Sequence, residues 1–137
     1  MHRHHTKTRA QSNQEIRLRT TSVVHRSDSS RFETQIARLF RRVGYRVRRR
    51  PATHDLGVDL VVARGGLRAI VQCKWWRHPV GPAVIRDLYG TLLHTGADPG
   101  ILATTSTVSR SAQRFAQGKP LLILDGPLLR LLLPDSP

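Results

Sequence analysis

The sequence predicts an α/β fold in which helices flank a mixed central β-sheet. Apolar residues recur with helical spacing from Phe32 and again after Pro82, and short apolar runs typical of strands lie between and after these segments. The first strands are joined by a tight turn at Gly65-Gly66, which makes neighbouring strands antiparallel. The later strands are separated by helical segments, which make neighbouring strands parallel. The sheet is therefore expected to contain both kinds of pairing.

The first helix is predicted from Ser30 to Gly44, because one stripe of apolar residues spaced by three and four ends at a glycine. The preceding residues, 1–28, are polar and basic and have no sustained period. They are predicted to form a disordered basic arm, and residues 29–137 the folded domain.

The remaining elements follow from apolar runs and the turn residues between them. They are strands at Tyr45–Arg49, Leu60–Ala63, Leu67–Val71, Ile101–Ala103 and Leu121–Leu124, and helices from Pro82, at Ser109–Gln117 and at Leu128–Leu133. The predicted order is helix, three strands, helix, strand, helix, strand, helix.

The hairpin of the second and third strands predicts a cluster of polar side chains. If Gly65-Gly66 forms a two-residue turn, Arg64 pairs with Leu67 and Asp59 lies directly opposite Gln72. Residues two apart on a strand share a face, so Lys74 joins Gln72.

A carboxylate, an amide oxygen and an ammonium group then converge, and a cation or a phosphate would fit among them. Two alternatives stay open for this cluster. The polar triplet is also typical of a solvated sheet face, and one bulge would move Asp59 to the other face.

The charge balance indicates a polyanionic partner, of which nucleic acid is the commonest. The chain has 23 Lys and Arg against 9 Asp and Glu, with a net charge of +14. Residues 1–50 carry 14 of the basic and 3 of the acidic side chains. The single cysteine excludes an intrachain disulfide, and no apolar run is long enough for a membrane span or a secretory signal. The default expectation is a cytoplasmic protein.

Several basic residues and one aromatic residue are candidates for DNA binding. Arginines off the apolar stripe of the first helix form a basic face, and three consecutive arginines end the first strand on the approach to the hairpin. Trp75 can stack on a base or sugar, although an aromatic residue at a strand end is also typical of a core. The candidates are Arg41, Arg42, Arg48, Arg49, Arg50 and Trp75.

Glu33, Asp55 and the hydroxyl-rich segment 104–107 each have a structural interpretation. Ser30 and Glu33 fit a capping box at the start of the first helix. Asp55 fits a loop before Gly57, as a turn residue or as a partner of a ligand. The hydroxyl groups of residues 104–107 fit helix caps, and the same helix N-terminus could accept a DNA phosphate.

Several short motifs in the right order resemble the Mrr-type branch of the PD-(D/E)XK nuclease superfamily. They are Gly57-Val58-Asp59-Leu60, Gln72-Cys73-Lys74, Pro79-Val80-Gly81, Thr104-Thr105 before a helix with Ala112 and Ala116, and Asp125-Gly126 before Leu128. The similarity covers roughly residues 32–132. It implies a restriction-endonuclease-like three-layer sandwich and a metal-dependent endodeoxyribonuclease. Gln72 stands where the wider superfamily has an acidic residue.

The resemblance also implies roles for single residues. Asp59 would be the charged metal ligand, Gln72 a neutral oxygen ligand, and the Cys73 backbone carbonyl a further one, with Mg²⁺ as the ion and Mn²⁺ as a substitute. Lys74 would orient or deprotonate the attacking water or stabilise the phosphate in the transition state. A Glu on the first helix often approaches the metal in this family, so Glu33 has a catalytic interpretation beside the capping one. The Cys73 side chain, on the other face, is expected in the core.

The leading functional prediction is a restriction or defence endonuclease acting on DNA. A structure-selective junction or repair nuclease is the alternative within the enzyme class, and a DNA-binding module without catalysis is the alternative outside it. The chain has no room for the separate specificity domain of full-length Mrr-like enzymes, so a separate specificity subunit is an expectation. A homodimer is a further expectation, because junction and repair nucleases of this fold favour a dimer.

Overall fold

The structure, a computed structural model, describes residues 8–51 and 56–133, without the side chains of residues 12–27. Asp55 lies outside the described residues. The elements are α1 Arg9–Arg42, β1 Arg46–Arg49, β2 Leu60–Arg64, β3 Leu67–Lys74, α2 Pro82–Thr95, β4 Gly100–Thr104, α3 Arg110–Ala116, β5 Leu121–Leu124 and α4 Gly126–Leu132. The predicted order of elements is confirmed.

The strands form one five-stranded sheet in the order β1-β2-β3-β4-β5. The pairs β1/β2 and β2/β3 are antiparallel, and β3/β4 and β4/β5 are parallel. The pairing of Arg64 with Leu67 confirms the two-residue turn at Gly65-Gly66. The predicted mixed sheet is therefore present, and its antiparallel half is the hairpin with β1 beside it.

Two apolar cores cover the two faces of the sheet. On one face the α1 residues Phe32 and Ile36 pack on alternate strand residues such as Leu60 and Val71, and Leu129 of α4 joins them. On the other face α2 and α3 pack on the intervening residues. That second core contains Val58, Val61, Ile70, Leu102, Ile85, Leu88, Leu92 and Ala112. Burial on both faces gives the predicted three-layer sandwich, because a sheet with two apolar faces needs a helical layer on each.

Helix α1 begins at Arg9, about twenty residues before the predicted start at Ser30. Thr8 caps it, since the Thr8 hydroxyl accepts a hydrogen bond from the Gln11 N–H and the Gln11 side chain accepts one from the Thr8 N–H. The capping box predicted for Ser30 and Glu33 is therefore wrong. Apolar periodicity marks only the part of a helix that packs on a core, here from Phe32 onward, and a helix can extend beyond it on its own backbone hydrogen bonds.

The predicted arm is thus helical from Arg9 to Asp28, and residues 1–7 lie outside the described residues. The boundary between residues 28 and 29 stays a prediction. In the described ranges, no helix has both the length and the apolar character needed to cross a bilayer.

Candidate active site

The predicted cluster lies where β2 begins and β3 ends, and Asp59 interrupts the regular pairing there. The Asp59 C=O accepts a hydrogen bond from the Arg50 N–H on the β1 side at 2.9 Å, whereas the Asp59 N–H donates to the Val71 C=O on β3 at 2.9 Å. In a regular strand both groups of one residue point to the same neighbour. Val71 is already the partner of Leu60, so two residues oppose one, which is the geometry of a β-bulge.

The bulge turns the Asp59 carboxylate toward the end of β3. Its Oδ2 accepts a hydrogen bond from the Cys73 N–H at 2.7 Å, so the side chain occupies a place in the strand ladder where a backbone carbonyl would otherwise lie. The prediction that Asp59 lies directly opposite Gln72 is therefore wrong, and the reason is the bulge. The sequence left that alternative open, because both faces of this strand are apolar and there is no alternation of polar and apolar residues for a bulge to shift.

Gln72 is buried and lies on the α2 side of the sheet. Its Nε2 is 3.0 Å from the position that a Cβ atom on Gly57 would take, and Gly57 has a φ of +68°. Its side chain lines a cavity of about 470 Å³ beside α2. The Gln72 Oε1 is buried without a hydrogen-bond partner, which costs free energy unless a further group completes it.

The Glu33 carboxylate approaches the Asp59 carboxylate from α1. The pKa of Asp59 is raised to about 6, first by burial, while the Cys73 N–H lowers it, the Glu33 charge and a hydrogen bond to Glu33 raise it, and the Lys74 charge lowers it. Two neighbouring carboxylates repel each other when both are ionised, and a bound cation relieves that repulsion.

Arg49 contacts the far side of Glu33. Its Nη2 lies 3.0 Å from Glu33 Oε2, and its Nη1 donates to the Thr34 hydroxyl at 2.9 Å. A further hydrogen bond reaches the Ser30 carbonyl at 3.3 Å. Sequence reasoning placed Arg49 on DNA and did not find this role, because residues 33 and 49 meet only when β1 packs beside α1.

Lys74, at the end of β3, is half-buried. Its ammonium lies 5.3 Å from the centroid of the Trp76 ring and interacts electrostatically with Asp59. The Thr104 hydroxyl donates to the Lys74 carbonyl at 2.8 Å, and the Thr105 N–H donates to the same carbonyl at 3.2 Å. The hydroxyl groups of Thr104 and Thr105 thus fasten β4 to the end of β3 and do not cap a helix. Ser109 caps α3 instead.

The Cys73 side chain is in the α1-side core, as predicted. Burial raises the pKa of its thiol well above the usual value, and the nearby Asp59 and Glu33 charges raise it further. The thiol is therefore not poised as a nucleophile, since the thiolate is the reactive form.

The other predicted DNA-binding residues differ in exposure. Arg41 and Arg42 are exposed in the last turn of α1, and Arg48 is exposed on β1. Arg50 is half-buried, and Trp75 is half-buried against the α1-side core.

The two carboxylates that the structure brings together fit a hard divalent cation. Asp59 and Glu33 supply them from the α1 side of the sheet, whereas the orphaned Gln72 Oε1 lies on the α2 side. Among the described residues, no group of three His, Cys, Asp or Glu side chains could hold a metal. Two adjacent carboxylates suit Mg²⁺, which keeps waters and takes few protein ligands.

Three solved structures share this fold. AspBHI, a DNA modification-dependent restriction endonuclease, has a TM-score of 0.62 and 21% identity, over 74% of this chain and 30% of that one. The MspJI restriction endonuclease, solved in complex with a 27-mer oligonucleotide, has a TM-score of 0.60 and 19% identity, over 98% and 36%. AF1548, a protein of unknown function, has a TM-score of 0.58 and 20% identity, over 69% and 57%.

The chain therefore spans between 30% and 57% of the length of these three solved chains. No curated protein resembles the chain closely enough to count as a match. The model of the Mrr_cat family, described as restriction endonuclease, matches residues 24–133. That match covers most of the sequence, including Glu33 on α1 and the hairpin residues from Asp59 to Lys74. The chain therefore belongs to the Mrr_cat family of restriction endonucleases.

Proposed function

We propose that this protein is a Mg²⁺-dependent DNA endonuclease of the restriction and defence type. The observation that carries the proposal is the approach of the Asp59 and Glu33 carboxylates to each other beside Lys74. Family membership supplies the reaction class, phosphodiester hydrolysis. The proposed catalytic residues are Asp59, Gln72, Lys74 and Glu33.

The proposed metal ligands are the Asp59 and Glu33 carboxylates, the Gln72 Oε1 and the Cys73 carbonyl, and Mn²⁺ is expected to substitute for Mg²⁺. The orphaned Oε1 supports this assignment, because a ligand would complete a buried acceptor that lacks a partner. When bound, the ion supplies an activated water and neutralises charge that develops on the phosphate. Glu33 is held in place by Arg49, so Arg49 acts here as a positioning residue.

Lys74 is proposed to act on the scissile phosphate and the attacking water. Its backbone carbonyl is held by Thr104 and Thr105, which fixes the point from which the side chain extends. A compact ammonium can orient a water and stabilise a phosphate oxygen at once, and its pKa can shift in a way that the guanidinium of Arg cannot. Only three of the 23 basic residues are Lys, and one of them is at this position.

DNA is the proposed partner, bound through exposed arginines at the end of α1 and on β1. Arg41, Arg42 and Arg48 supply exposed positive charge on these two elements. Within residues 8–51 and 56–133, none of these three side chains forms a salt bridge that DNA would have to displace. We further propose that a specificity subunit selects the target and that two copies cut the two strands of a duplex.

Plasmid nicking tests the proposal. Purified wild type is expected to nick supercoiled DNA with Mg²⁺ and not with EDTA, and Lys74→Ala is expected to lose the activity while still binding DNA. Arg110→Ala, which removes an exposed positive charge on α3, serves as the matched control and is expected to keep it. Gln72→Glu, which restores the acidic residue of the wider superfamily, is expected to remain active.

Cleavage of linear, branched and methylated DNA distinguishes the restriction enzyme from the other two functions. Cleavage confined to branched DNA would favour the junction or repair nuclease, and cleavage that depends on methylation would support a restriction role. If no variant and no wild-type preparation cleaves linear, branched or methylated DNA with either ion, while all bind DNA alike, the protein is a binding module and the proposal fails.

A further inference from the structure

A second cavity, of about 490 Å³, lies between α1, α4 and the segment that follows Lys74. Its floor is apolar and formed by the buried side chains of Phe32 and Leu129. Trp75 and Trp76, both half-buried, line it as an aromatic wall in which Trp75 packs against the α1-side core and Trp76 against the α2-side core. The volume lies in the range of cavities that bind small organic groups.

Positive charge surrounds this cavity. Arg31 from α1, Arg77 from the loop after β3 and Arg130 from α4 line it and are exposed, and Asp28 is the one acidic residue in the lining formed by the described residues. Three elements distant in sequence therefore contribute one arginine each. An apolar floor, an aromatic wall and a cationic rim match a nucleotide, which has a flat apolar base and an anionic phosphate.

Hydrogen bonds fix the backbone of Trp76 in this wall. The Trp76 backbone N–H donates to the Thr105 hydroxyl at 3.0 Å, and the Thr105 hydroxyl donates to the Trp76 carbonyl at 2.9 Å. The His78 ring stacks on Trp76 with centroids 4.5 Å apart. A fixed wall reduces the conformational entropy that binding would cost.

The wall also connects this cavity to the candidate active site. The Lys74 ammonium lies 5.3 Å from the Trp76 ring centroid, and Thr105 hydrogen-bonds to the backbone of both Lys74 and Trp76. If the scissile phosphate of a DNA strand lies at Lys74, a nucleotide next to that phosphate therefore lies at the mouth of the cavity.

We propose that this cavity binds one unpaired nucleotide of the DNA strand, close to the scissile phosphate, with the base against the tryptophan wall and a phosphate at the arginine rim. The inference rests on the proposed function for the identity of the strand. A base in a duplex is stacked on both faces, so only an unstacked nucleotide can place its base against the wall. The nuclease therefore favours DNA that is locally single-stranded or easily opened at the cut.

The two tryptophans of the chain provide the signal for the test. Trp75 and Trp76 are the only tryptophans in the sequence, and both line the cavity, so intrinsic tryptophan fluorescence reports on ligands that reach the cavity or the adjacent Lys74. The titration uses the full chain in EDTA, with a ten-nucleotide oligothymidylate, the matching duplex, and free thymidine monophosphate as probes. Saturable quenching by the single strand is expected, at lower concentration than by the duplex.

Arg31→Ala and Arg38→Ala form a matched pair, because both remove one exposed arginine from α1 and only Arg31 lines the cavity. Arg31→Ala is expected to weaken binding of the single strand about tenfold more than Arg38→Ala does. Equal losses in the two variants, or no quenching by the single strand, would overturn the proposal. Thymidine monophosphate binding as tightly as the oligonucleotide would also overturn it, in favour of a free-nucleotide site.

The result of the fluorescence titration does not depend on whether the protein cleaves DNA. The titration contains no metal and measures no cleavage, so an inactive protein can still show quenching, and an active nuclease can fail to show it.

Discussion

The Asp59 carboxylate has two opposing effects on stability at neutral pH, a favourable hydrogen bond and an unfavourable buried charge. Its carboxylate completes the end of the β3 ladder by accepting the Cys73 N–H, yet burial and the Glu33 charge hold its pKa at about 6. A carboxyl group whose pKa is higher in the folded than in the unfolded state binds protons more tightly when folded. The free energy of unfolding of the metal-free protein therefore falls as pH rises from about 3.8 to about 6, and the penalty is fully present above that window.

Asp59→Asn should remove this penalty. The amide oxygen can still accept the Cys73 N–H, and the uncharged side chain no longer repels Glu33. In EDTA the variant is expected to melt at a higher temperature than wild type at pH 8, with the difference shrinking toward pH 4.5. Asp87→Asn, at an exposed position on α2, is the control. A variant less stable than wild type at pH 8, or a difference that does not change with pH, would contradict the prediction.

Gly57 keeps Gln72 in its place. A Cβ atom there would approach Gln72 Nε2 to 3.0 Å, at a φ of +68°. Gly96 has the same φ of +68° with no heavy atom within 4 Å of its Cβ position, so the two glycines share the backbone cost and differ only in the steric approach to a neighbour.

Gly57→Ala and Gly96→Ala should therefore each lower the free energy of unfolding by about 1–2 kcal/mol, because alanine is strained at positive φ. Only Gly57→Ala should also weaken Mg²⁺ binding, measured as the rise in melting temperature that the ion produces. Equal Mg²⁺ effects in the two variants would show that Gln72 does not depend on Gly57 or does not bind the ion.

Arg49 joins the edge strand β1 to helix α1. It contacts Glu33 and Thr34 on the helix from an edge strand of only four residues, Arg46–Arg49. Short edge strands have few partners, so a side-chain connection to the neighbouring helix limits fraying. The same connection fixes the carboxylate that approaches Asp59, so the packing of an edge strand and the shape of the candidate active site depend on one residue.

Arg48 and Arg49 should respond differently to replacement by methionine. Arg49→Met is expected to lower the free energy of unfolding by about 1 kcal/mol, a modest value because the ion pair is partly exposed. Arg48→Met should leave stability nearly unchanged and weaken DNA binding. Denaturant unfolding and a binding titration in EDTA check the pair. If Arg49→Met affected only DNA binding, direct binding of Arg49 to DNA would replace the positioning role.

In the molecule as a whole, the positive charge is concentrated in residues 1–50, which carry 14 of the 23 basic side chains. Six of these 14 lie in residues 1–27, before the packed part of α1 begins at Phe32. Part of the charge that is expected to bind DNA is therefore separate from the residues that form the core.

Deleting residues 1–27 should therefore flatten the salt dependence of DNA binding while leaving the domain folded. For each phosphate that the shortened chain no longer neutralises, the slope of log K against log salt falls by about 0.9, because fewer counterions are released on binding. Binding titrations at several salt concentrations, with circular dichroism as the folding control, check this. An unchanged slope would show that the N-terminal part of α1 does not bind DNA, and an unfolded product would show that it belongs to the core.

The residue pattern by itself determined the order of elements, the mixed sheet and the hairpin turn. Phe32 and Ile36 share a helical stripe, Leu60 and Val62 share a strand face, and Gly65-Gly66 permits the turn, so each of these features is encoded by residues close together in sequence. The sequence also identified Asp59 and Lys74 as candidate site residues, because each lies in a motif that resembles those of the family.

The tertiary structure alone decided how those side chains meet. The bulge at Asp59 depends on backbone groups of Val71 and Cys73 across the hairpin, and the hydrogen bonds of Glu33 depend on β1 and α1 lying side by side. The extension of α1 to Arg9 was also missed, because backbone hydrogen bonds continue a helix without any apolar stripe. Periodicity reports which face of an element is buried, whereas the position of a buried carboxylate is set by partners that only the packed fold brings near it.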